Sequence, residues 1–348
     1  MKSALISSLL VGLILGLTVV HGESSNALES VDRDVKTVFN NSRQAVVKIH
    51  AHRQSADNDL ASTPSHRVGT GFFVSNDGLV LTAGTVIGDA DTCWVEWQDE
   101  KLPAHIVGRC PRVNLAVLKV QKRDAEFPAL KTCGAPDYAV GSLVIALGYP
   151  YDLPAAPVVG FIQGIDIRRG DRLFPTSHIR ANCRLNPGQG GGPLLNAKGE
   201  VIGVIVAAHM DDQAYALPIC AAKKVYKDIV ATGQAQHPWV GLEVSERELD
   251  VESTPLNRWQ VYVRQVISNT PAAQAGFQDR DLIVRIGTNS VHRLADVLDS
   301  VFLHHAGDQL DFTVVRRGKE EPVALTLGGR SDSNPDPARP AWVPVSKD

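Results

Sequence analysis

The chain has 348 residues and a formal net charge of −3, with 44% hydrophobic and 21% charged residues. This balance is typical of a globular protein and excludes a disordered or fibrous one. The small net charge gives no reason to expect a nucleic-acid partner, which calls for a strongly basic surface. The length allows two or three domains, each with its own core.

The first 22 residues contain a single lysine followed by an uncharged apolar run, and a polar segment begins at Glu23. This pattern predicts a signal peptide over residues 1–22, although the run is also close to the length of a membrane anchor. Nothing beyond residue 23 is apolar enough to span a bilayer. We therefore expect an exported protein, periplasmic or secreted, that is membrane-bound only if the first segment is retained.

From Ala45 to residue 219 the sequence alternates short apolar runs with turn residues, for example "AVVKIHAHR", "GTGFFVS" and "GLVLTAG". Asn76-Asp77-Gly78 and the segment from Asn196 to Gly199 carry residues that tolerate a positive φ and so predict tight turns. So many short strands predict two packed antiparallel barrels or a sandwich.

The pattern changes after residue 219. The segment "CAAKKVYKDIVATGQ" has helical spacing of its apolar residues and a glycine stop at Gly233. A second, smaller β-rich unit begins near His237 and contains a short helix opened by Pro271 and a helix over residues 293–305. We predict domains over residues 23–235 and 236–330, followed by a Pro- and Asp-rich disordered tail over residues 331–348.

The five cysteines are not arranged in CxxC pairs, so their spacing does not predict a zinc site. They are Cys93, Cys110, Cys133, Cys183 and Cys220. Export permits disulfides, but buried free thiols account for the same residues equally well, and both alternatives stay open. No metal or cofactor is predicted.

Several segments, in order along the chain, resemble the HtrA/Deg family of exported trypsin-like serine proteases with a PDZ domain. "GTGFFVSNDGLVLTAGTV" is similar to G-S-G-F-x-x-S-x-D-G-x-x-L-T-N-x-H-V, and "LNPGQGGGPLLNAKGEVIGV" to I-N-P-G-N-S-G-G-P-L-x-N-x-x-G-e-v-I-G-i. "CPRVNLAVLKV" and "TPAAQAGFQDRDLIVRIGTNSV" resemble two further family motifs. The resemblance implies a mostly β protein, with a trypsin-like double antiparallel β-barrel followed by a small PDZ-like α/β domain.

The resemblance also locates three positions of a Ser-His-Asp triad, and all three carry other residues. Thr85 stands at the histidine position, Asn114 at the aspartate position and Gly190 at the serine position. Gly190 has no side chain to acylate, and a threonine hydroxyl is no general base near neutral pH. In the family the backbone N–H groups at the positions of Gly188 and Gly190 form the oxyanion hole, and as backbone groups they need no nucleophile to persist.

A dinucleotide-binding loop and a relocated catalytic base are two alternatives for this region. The glycine run does not complete the G-x-G-x-x-G pattern of a dinucleotide site. A base at His105, His178 or His209 would have no nucleophile at residue 190 to activate. We therefore predict that the triad is degenerate and that no intact catalytic residue remains.

By the same resemblance, the PDZ-like unit implies a groove for the C-terminus of a peptide. The predicted carboxylate-binding loop is Trp239, Val240, Gly241 and Leu242. The helix over residues 293–305 forms the other wall, where Leu294, Val297, Leu298 and Val301 share one face. Ordinary core packing accounts for these helix residues equally well.

These observations favour an exported, catalytically inactive serine-protease homologue that binds unfolded polypeptides or protein C-termini as a chaperone, adaptor or regulatory subunit. The alternative is a serine endopeptidase of periplasmic protein quality control, as the family resemblance alone implies. The resemblance also implies a homotrimer, or a mixed trimer with an active relative.

Overall fold

The structure is a computed structural model that describes residues 27–53, 65–122, 126–134, 138–170, 172–209, 212–249 and 259–331. The predicted signal peptide lies outside these residues, as does all of the predicted tail except Ser331. Ser331 ends a β-strand, so regular structure reaches one residue past the predicted domain boundary. Among the residues described, no helix combines the length and the apolar character needed to cross a bilayer.

The first element is a helix that the sequence did not predict, α1 (Ala27–Ser42). Only Val38 and Ser42 are buried, against the turn around Gly199, while Leu28 remains 75% exposed. Val35 and Phe39 of the same face also pack on the core, as partly buried residues, so the helix is amphipathic. Sequence reasoning missed it because it started at the strand-rich region from Ala45.

The first barrel is closed by six antiparallel strands and contains one helical turn. These elements are β1 (Val46–Arg53), β2 (Ser65–Phe73), β3 (Leu79–Ala83), α2 (Gly84–Ile87), β4 (Thr92–Trp97), β5 (Glu100–Cys110) and β6 (Leu115–Val120). The strand order around the barrel is β1-β2-β3-β6-β5-β4. Alternate residues of β1 such as Val47, Ile49 and Ala51 are fully buried, as the period of two along a strand requires.

The second barrel repeats this architecture. Its strands are β7 (Leu143–Gly148), β8 (Ala156–Arg169), β9 (Arg172–Ala181), β10 (Pro193–Asn196), β11 (Val201–His209) and β12 (Gln213–Pro218), in the closed order β10-β11-β12-β9-β8-β7. The predicted turn before β11 is present, with Gly199 at φ 77° and its N–H bonded to Asn196 O at 3.0 Å.

The two barrels meet in a shared hydrophobic cluster, and the first barrel has a second cluster of its own around Val47, Ile49 and Phe73. Phe72, Leu81 and Leu115 of the first barrel belong to the same buried cluster as Leu147 and Ile205 of the second. The predicted helix α3 (Ile219–Thr232) packs on this cluster and ends at Gly233, which has the left-handed φ of 78°. Since cores of this kind contribute about 1.5–3 kcal/mol per large apolar side chain, the barrels stabilise each other.

The C-terminal unit is built around a five-membered antiparallel path of strands. Its elements are β13 (Gln236–Trp239), β14 (Leu242–Glu248), β15 (Trp259–Val266), α4 (Pro271–Ala275), β16 (Leu282–Ile286), β17 (Asn289–Ser290), α5 (Leu294–Phe302), β18 (Gln309–Arg316), β19 (Lys319–Thr326) and β20 (Gly328–Ser331). The main sheet has the order β14-β15-β16-β18-β19, and β13 pairs with β20. Helix α5, over Leu294–Phe302, is shorter than the helix predicted over residues 293–305.

Helix α5 also joins the C-terminal unit to the second barrel. The carboxylate of Asp299 accepts hydrogen bonds from Thr176 Oγ1 at 2.6 Å, Ser177 N at 2.6 Å and Ser177 Oγ at 2.7 Å. Both partner residues are buried, so these bonds satisfy polar groups that water does not reach. The helix is thereby held against β9.

The cysteines contribute no cross-link. None of the five forms a disulfide; four are buried and Cys220 is partly buried. Burial raises the pKa of the Cys183 thiol to about 11, so this sulfur is an inert apolar group at neutral pH. Of the two alternatives for the cysteines, the structure shows reduced thiols rather than disulfides.

Candidate functional site

The three triad-like positions lie where the two barrels meet. Thr85 is in the single turn α2, and Asn114 is in the turn between β5 and β6. The Thr85 N–H donates to Asn114 Oδ1 at 2.8 Å, and Asn114 Nδ2 donates to Thr85 Oγ1 at 3.2 Å. In the described part of the chain, neither residue bonds to a histidine or a carboxylate. The pair is therefore a neutral hydrogen-bonded contact with no group that takes up a proton near neutral pH.

Asn114 connects the barrels as well as the turn. It adopts a left-handed φ of 54°, and its Nδ2 donates to Val206 O of β11 at 2.5 Å. Its own carbonyl accepts the Gly84 N–H at 2.9 Å. Asparagine is one of the few residues that adopts this φ readily, and its amide supplies both a donor and an acceptor.

The glycine-rich loop is held in place from the first barrel. Thr70 N donates to Gly190 O at 2.9 Å, and Thr70 Oγ1 donates to Gly188 O at 2.7 Å. The same hydroxyl accepts the Tyr149 N–H at 3.0 Å. Sequence reasoning missed Thr70, although it lies in the "GTGFF" motif at the serine position of the family's G-S-G-F.

The glycine positions of this loop differ in whether the backbone and its surroundings would accept a side chain. Gly188 and Gly191 have φ of 95° and 85°, and an added Cβ would overlap Tyr149 O or Thr82 Oγ1. At Gly192 an added Cβ would overlap Leu147 O. At Gly190, by contrast, nothing lies within 4 Å of an added Cβ, and the φ is not left-handed. The backbone therefore requires glycine at three of these positions and leaves residue 190 free to carry a side chain.

The predicted oxyanion donors are backbone N–H groups of the same loop. Pro187 O accepts from Tyr151 N at 2.7 Å, and Gln189 N donates to Asn186 O at 3.1 Å. Neither the Gly188 N–H nor the Gly190 N–H donates a hydrogen bond within the ranges described. This arrangement leaves both groups available to an acceptor, and their role as an oxyanion hole stays a prediction.

An ion-pair network of the first barrel supports the neighbouring loop at residues 149–153. Lys48 Nζ lies 2.7 Å from Asp152 Oδ1 and 3.2 Å from Glu96 Oε2. Burial alone would lower the pKa of Lys48, but its bonds to these two carboxylates raise it. The hydrogen bond from Lys48 in turn lowers the pKa of Asp152. Because Tyr151 of this loop bonds to Pro187 O, the network helps to position the glycine-rich loop.

The histidines that could serve as relocated bases do not complete this site. His105 is exposed on β5, and His178 is buried in the second barrel with Nδ1 3.0 Å from Thr176 O. The side chain of His209 lies outside the described residues. Across the described ranges, no cluster of three histidine, cysteine or acidic side chains suits a metal ion.

The predicted peptide-binding residues come together in the C-terminal unit. Val240 O accepts the Ala272 N–H at 3.0 Å and Gly241 O accepts the Ile267 N–H at 3.0 Å, while Gly241 has φ 83°. An added Cβ at residue 241 would overlap Thr270, so this loop requires glycine. Three apolar side chains of α5 belong to the same buried cluster as Val240 and Leu242 of this loop. They are Leu294, Val297 and Leu298, which are 6%, 0% and 1% exposed.

These helix residues pack in the core of the unit, so core packing accounts for them. Trp239 lies in β13 opposite Gly328. Strand β14 is at the edge of the main sheet, and in the described part of the chain it pairs only with β15. An edge strand next to a helix is the geometry that accepts an added peptide strand.

Comparison with known proteins identifies both units. The family model for a trypsin-like peptidase domain matches residues 69–204, and that for a PDZ domain matches residues 238–327. A DegP-like periplasmic serine endoprotease of Hahella chejuensis is 32% identical over 272 residues, covering 75% of this chain and 56% of that protein. Its counterpart in Chlamydia trachomatis is 32% identical over 291 residues, covering 77% and 58%. The chain thus spans a little over half the length of these relatives.

Solved structures show the same fold. An HtrA-type protease AlgW with a tripeptide matches with a TM-score of 0.69 at 23% identity, covering 87% of this chain and 98% of that one. A serine endoprotease from Yersinia pestis matches with a TM-score of 0.59 at 23% identity, covering 85% and 98%. The predicted fold, two trypsin-like barrels followed by a PDZ domain, is confirmed.

Proposed function

Because the chain belongs to the HtrA/Deg family of trypsin-like peptidases with a PDZ domain, we propose that it is an exported member that binds polypeptides without cutting them. The observation that carries this proposal is the neutral Thr85–Asn114 pair facing a loop whose nucleophile position is Gly190. Acyl transfer of this kind needs a nucleophile, a base and an orienting group, and none of the three triad-like positions carries the residue that would supply its part.

The second candidate is a serine endopeptidase of periplasmic protein quality control. The names of the relatives favour it, since those quoted above are serine endoproteases. The same names and the N-terminal sequence pattern support a periplasmic or secreted location for this chain. Cell fractionation and N-terminal sequencing of the mature protein would test the location and the cleavage after residue 22.

A cleavage assay separates the two candidates. We expect purified wild-type protein to leave casein intact and to resist labelling by a fluorophosphonate, because no side chain at residue 190 can react. Casein turnover by protein purified to homogeneity would refute the proposal. Turnover that is lost on further purification would come from a contaminant.

Restoring the triad tests whether only the chemistry is missing. The triple variant Gly190→Ser, Thr85→His, Asn114→Asp should gain casein cleavage, since residue 190 has open space for a side chain. The single variant Gly190→Ser is the matched control and should remain far less active, because it lacks the base. A triple variant that folds but stays as inactive as the control would show that the site has lost more than three side chains.

Binding is proposed at the PDZ groove, for protein C-termini or unfolded chains. A fluorescent peptide with a free C-terminal carboxylate should bind, and the same peptide with a C-terminal amide should bind at least about tenfold more weakly, because the loop at Gly241 has backbone N–H groups for an anion. Equal binding of the two peptides would place the interaction elsewhere.

Self-association is proposed for the outer face of the second barrel. Val159, Phe161 and Ile165 project outward from β8, and with Val140 they form an exposed apolar patch. A patch of this kind marks an interaction surface, and the family resemblance favours a trimer, either of identical chains or with an active relative. Phe161→Glu should yield a monomer by light scattering, whereas the equally exposed Val230→Glu on α3 should not. Native mass spectrometry of complexes from the host would detect a mixed trimer.

A further inference from the structure

The carbonyl groups of the glycine-rich loop are all bonded. Each of the four carbonyl oxygens from residue 187 to residue 190 accepts a hydrogen bond. Their donors are, in chain order, Tyr151 N at 2.7 Å, Thr70 Oγ1 at 2.7 Å, Gly192 N at 3.3 Å and Thr70 N at 2.9 Å. The peptide planes of the loop are therefore fixed, and none of these carbonyls is free to turn toward the cleft.

The N–H groups of the same loop fall into two sets. Those of residues 189, 191 and 192 donate to backbone carbonyls, whereas those of Gly188 and Gly190 donate to none in the described part of the chain. In a trans peptide the N–H points away from the preceding carbonyl, so the bonds that fix the carbonyls of residues 187 and 189 also fix these two N–H groups. Gly188 has a left-handed φ of 95°, and N–H groups of such turns form a concavity that binds an anion.

A strained segment holds this arrangement in place. Tyr151 and Asp152 both have a left-handed φ, of 51° and 65°, although neither is glycine. Lys48 Nζ fixes them, since it donates to Asp152 O at 3.0 Å and pairs with the Asp152 carboxylate at 2.7 Å. Non-glycine residues keep this conformation only where their surroundings enforce it, and such strain is concentrated at functional sites. Its effect here is to direct the Tyr151 N–H at Pro187 O.

The space and the charge of the site suit an anion with two oxygens. An added Cβ at Gly190 meets nothing within 4 Å, which leaves the room that a serine side chain would take. Thr85 and Asn114 are uncharged, and Thr85 Oγ1 accepts from Asn114 Nδ2 at 3.2 Å, so its own O–H is left to donate. The nearby negative charge of Asp152 is matched by Lys48. A carboxylate gains more from such donors than the neutral carbonyl of an uncut chain does.

We propose that the cleft between the barrels is a receptor for a carboxylate, in which the N–H groups of Gly188 and Gly190 bind the C-terminal carboxylate of a polypeptide. An oxyanion hole meets a transient charge, whereas this site holds a stable one. The proposal rests on the polypeptide binding proposed above and adds a second site that is independent of the PDZ groove. Its ligands are the products of endoproteolysis, because each hydrolysis of a peptide bond leaves a new C-terminal carboxylate.

Nuclear magnetic resonance of the full chain, labelled with nitrogen-15 glycine, reads the site directly. The resonance of Gly190 is identified by its absence from the spectrum of Gly190→Ala. Acetyl-Ala-Ala-Val with a free carboxylate should move this resonance downfield, because the N–H then donates to an anion. The same peptide with a C-terminal amide should need a concentration at least about tenfold higher. Sodium acetate should also need a higher concentration than the peptide acid, since it has the carboxylate without the chain.

Two variants locate the site, and a third is their control. Gly190→Asp puts a fixed carboxylate into the open space, and by isothermal titration it should bind one equivalent of peptide fewer per chain than wild type. Lys48→Gln releases the strained segment and should weaken the affinity read at residue 190 by about threefold or more. The matched control is Lys119→Gln, which removes a lysine paired with Asp77 on the same barrel and should leave this affinity unchanged.

The outcomes separate this proposal from the one on which it rests. If the peptide binds while the Gly190 resonance stays in place and Gly190→Asp binds as much peptide as wild type, the cleft site is overturned and binding at the PDZ groove stands. Equal responses to the acid and the amide overturn the recognition of a carboxylate. An unchanged affinity in Lys48→Gln overturns the role of the strained segment. If no peptide binds to wild type at all, the peptide-binding function and this site are both refuted.

Discussion

The buried His178 predicts a loss of stability in mildly acidic solution. Its ring is 1% exposed, stacks on Phe174 with centroids 3.9 Å apart, and has Nδ1 3.0 Å from Thr176 O. Burial lowers its pKa from 6.5 to about 4. The folded protein therefore disfavours the proton that the unfolded chain accepts, so the stabilisation is complete above pH 6.5 and decreases as the pH falls from 6.5 toward 4.

The size of the effect follows from these two values. Proton linkage with a pKa of 6.5 in the unfolded chain and about 4 in the folded one gives a loss of about 2 kcal/mol between pH 7.5 and 5.0. The full loss, below pH 4, is about 3 kcal/mol, from 1.36 kcal/mol per pKa unit. Such a change is a large fraction of the free energy of unfolding of a typical domain.

The assay is urea unfolding at pH 7.5 and 5.0, followed by far-ultraviolet circular dichroism, on wild type and His178→Asn. Asparagine keeps a donor near Nδ1 but does not titrate. The decrease in the free energy of unfolding between the two pH values should be about 2 kcal/mol smaller in the variant, since carboxylates contribute equally to both proteins. The exposed His292→Asn is the control and should behave as wild type does. An equal decrease in His178→Asn and wild type would refute the reasoning.

Three further predictions concern a close backbone contact, a buried hydrogen-bond cluster and an ion pair. Gly192→Ala should lower the free energy of unfolding by about 3 kcal/mol or more, because the added Cβ overlaps Leu147 O. Gly190→Ala should leave the melting temperature at or slightly above that of wild type, since its Cβ meets nothing. Similar melting temperatures for the two variants would contradict this. Asp299→Ala should cost about 2 kcal/mol and speed proteolytic cleavage between the domains, because it leaves buried donors unpaired; an unchanged digestion rate would argue against the contact. Asp281→Ala should cost about 1–3 kcal/mol in thermal unfolding, since the Arg316 guanidinium loses its buried partner but keeps Glu321 at 3.0 Å as a counter-ion. A loss below about 0.5 kcal/mol would contradict this.

Much of the fold is encoded by local patterns, and these were sufficient for its prediction. Alternating apolar residues gave the strands of both barrels, and the Gly233 stop and the Pro271 start marked α3 and α4 correctly. The motifs also placed Thr85 and Asn114 together, as their mutual hydrogen bonds show. These features depend on residues close in sequence or on motifs of constant spacing.

The features that the sequence did not reveal depend on distant residues. Asp299 and Thr176 are 123 positions apart and meet only because the PDZ domain docks on β9. Glu246 and Arg293 are 47 positions apart and meet only after the sheet and α5 have packed. Helix α1 was missed for another reason: Val35, Val38 and Phe39 do recur with helical spacing, but they precede the strand-rich region on which the sequence reasoning relied.

The open space at residue 190 makes the cleft a site for spectroscopic labelling. A Gly190→Cys variant would place a thiol where an added side chain meets nothing within 4 Å, while four of the five native thiols are buried. A maleimide dye or nitroxide would therefore react there first, with the partly buried Cys220 as the only native competitor among the thiols. The probe would then report, by its mobility or emission, when a polypeptide enters or leaves the cleft between the barrels.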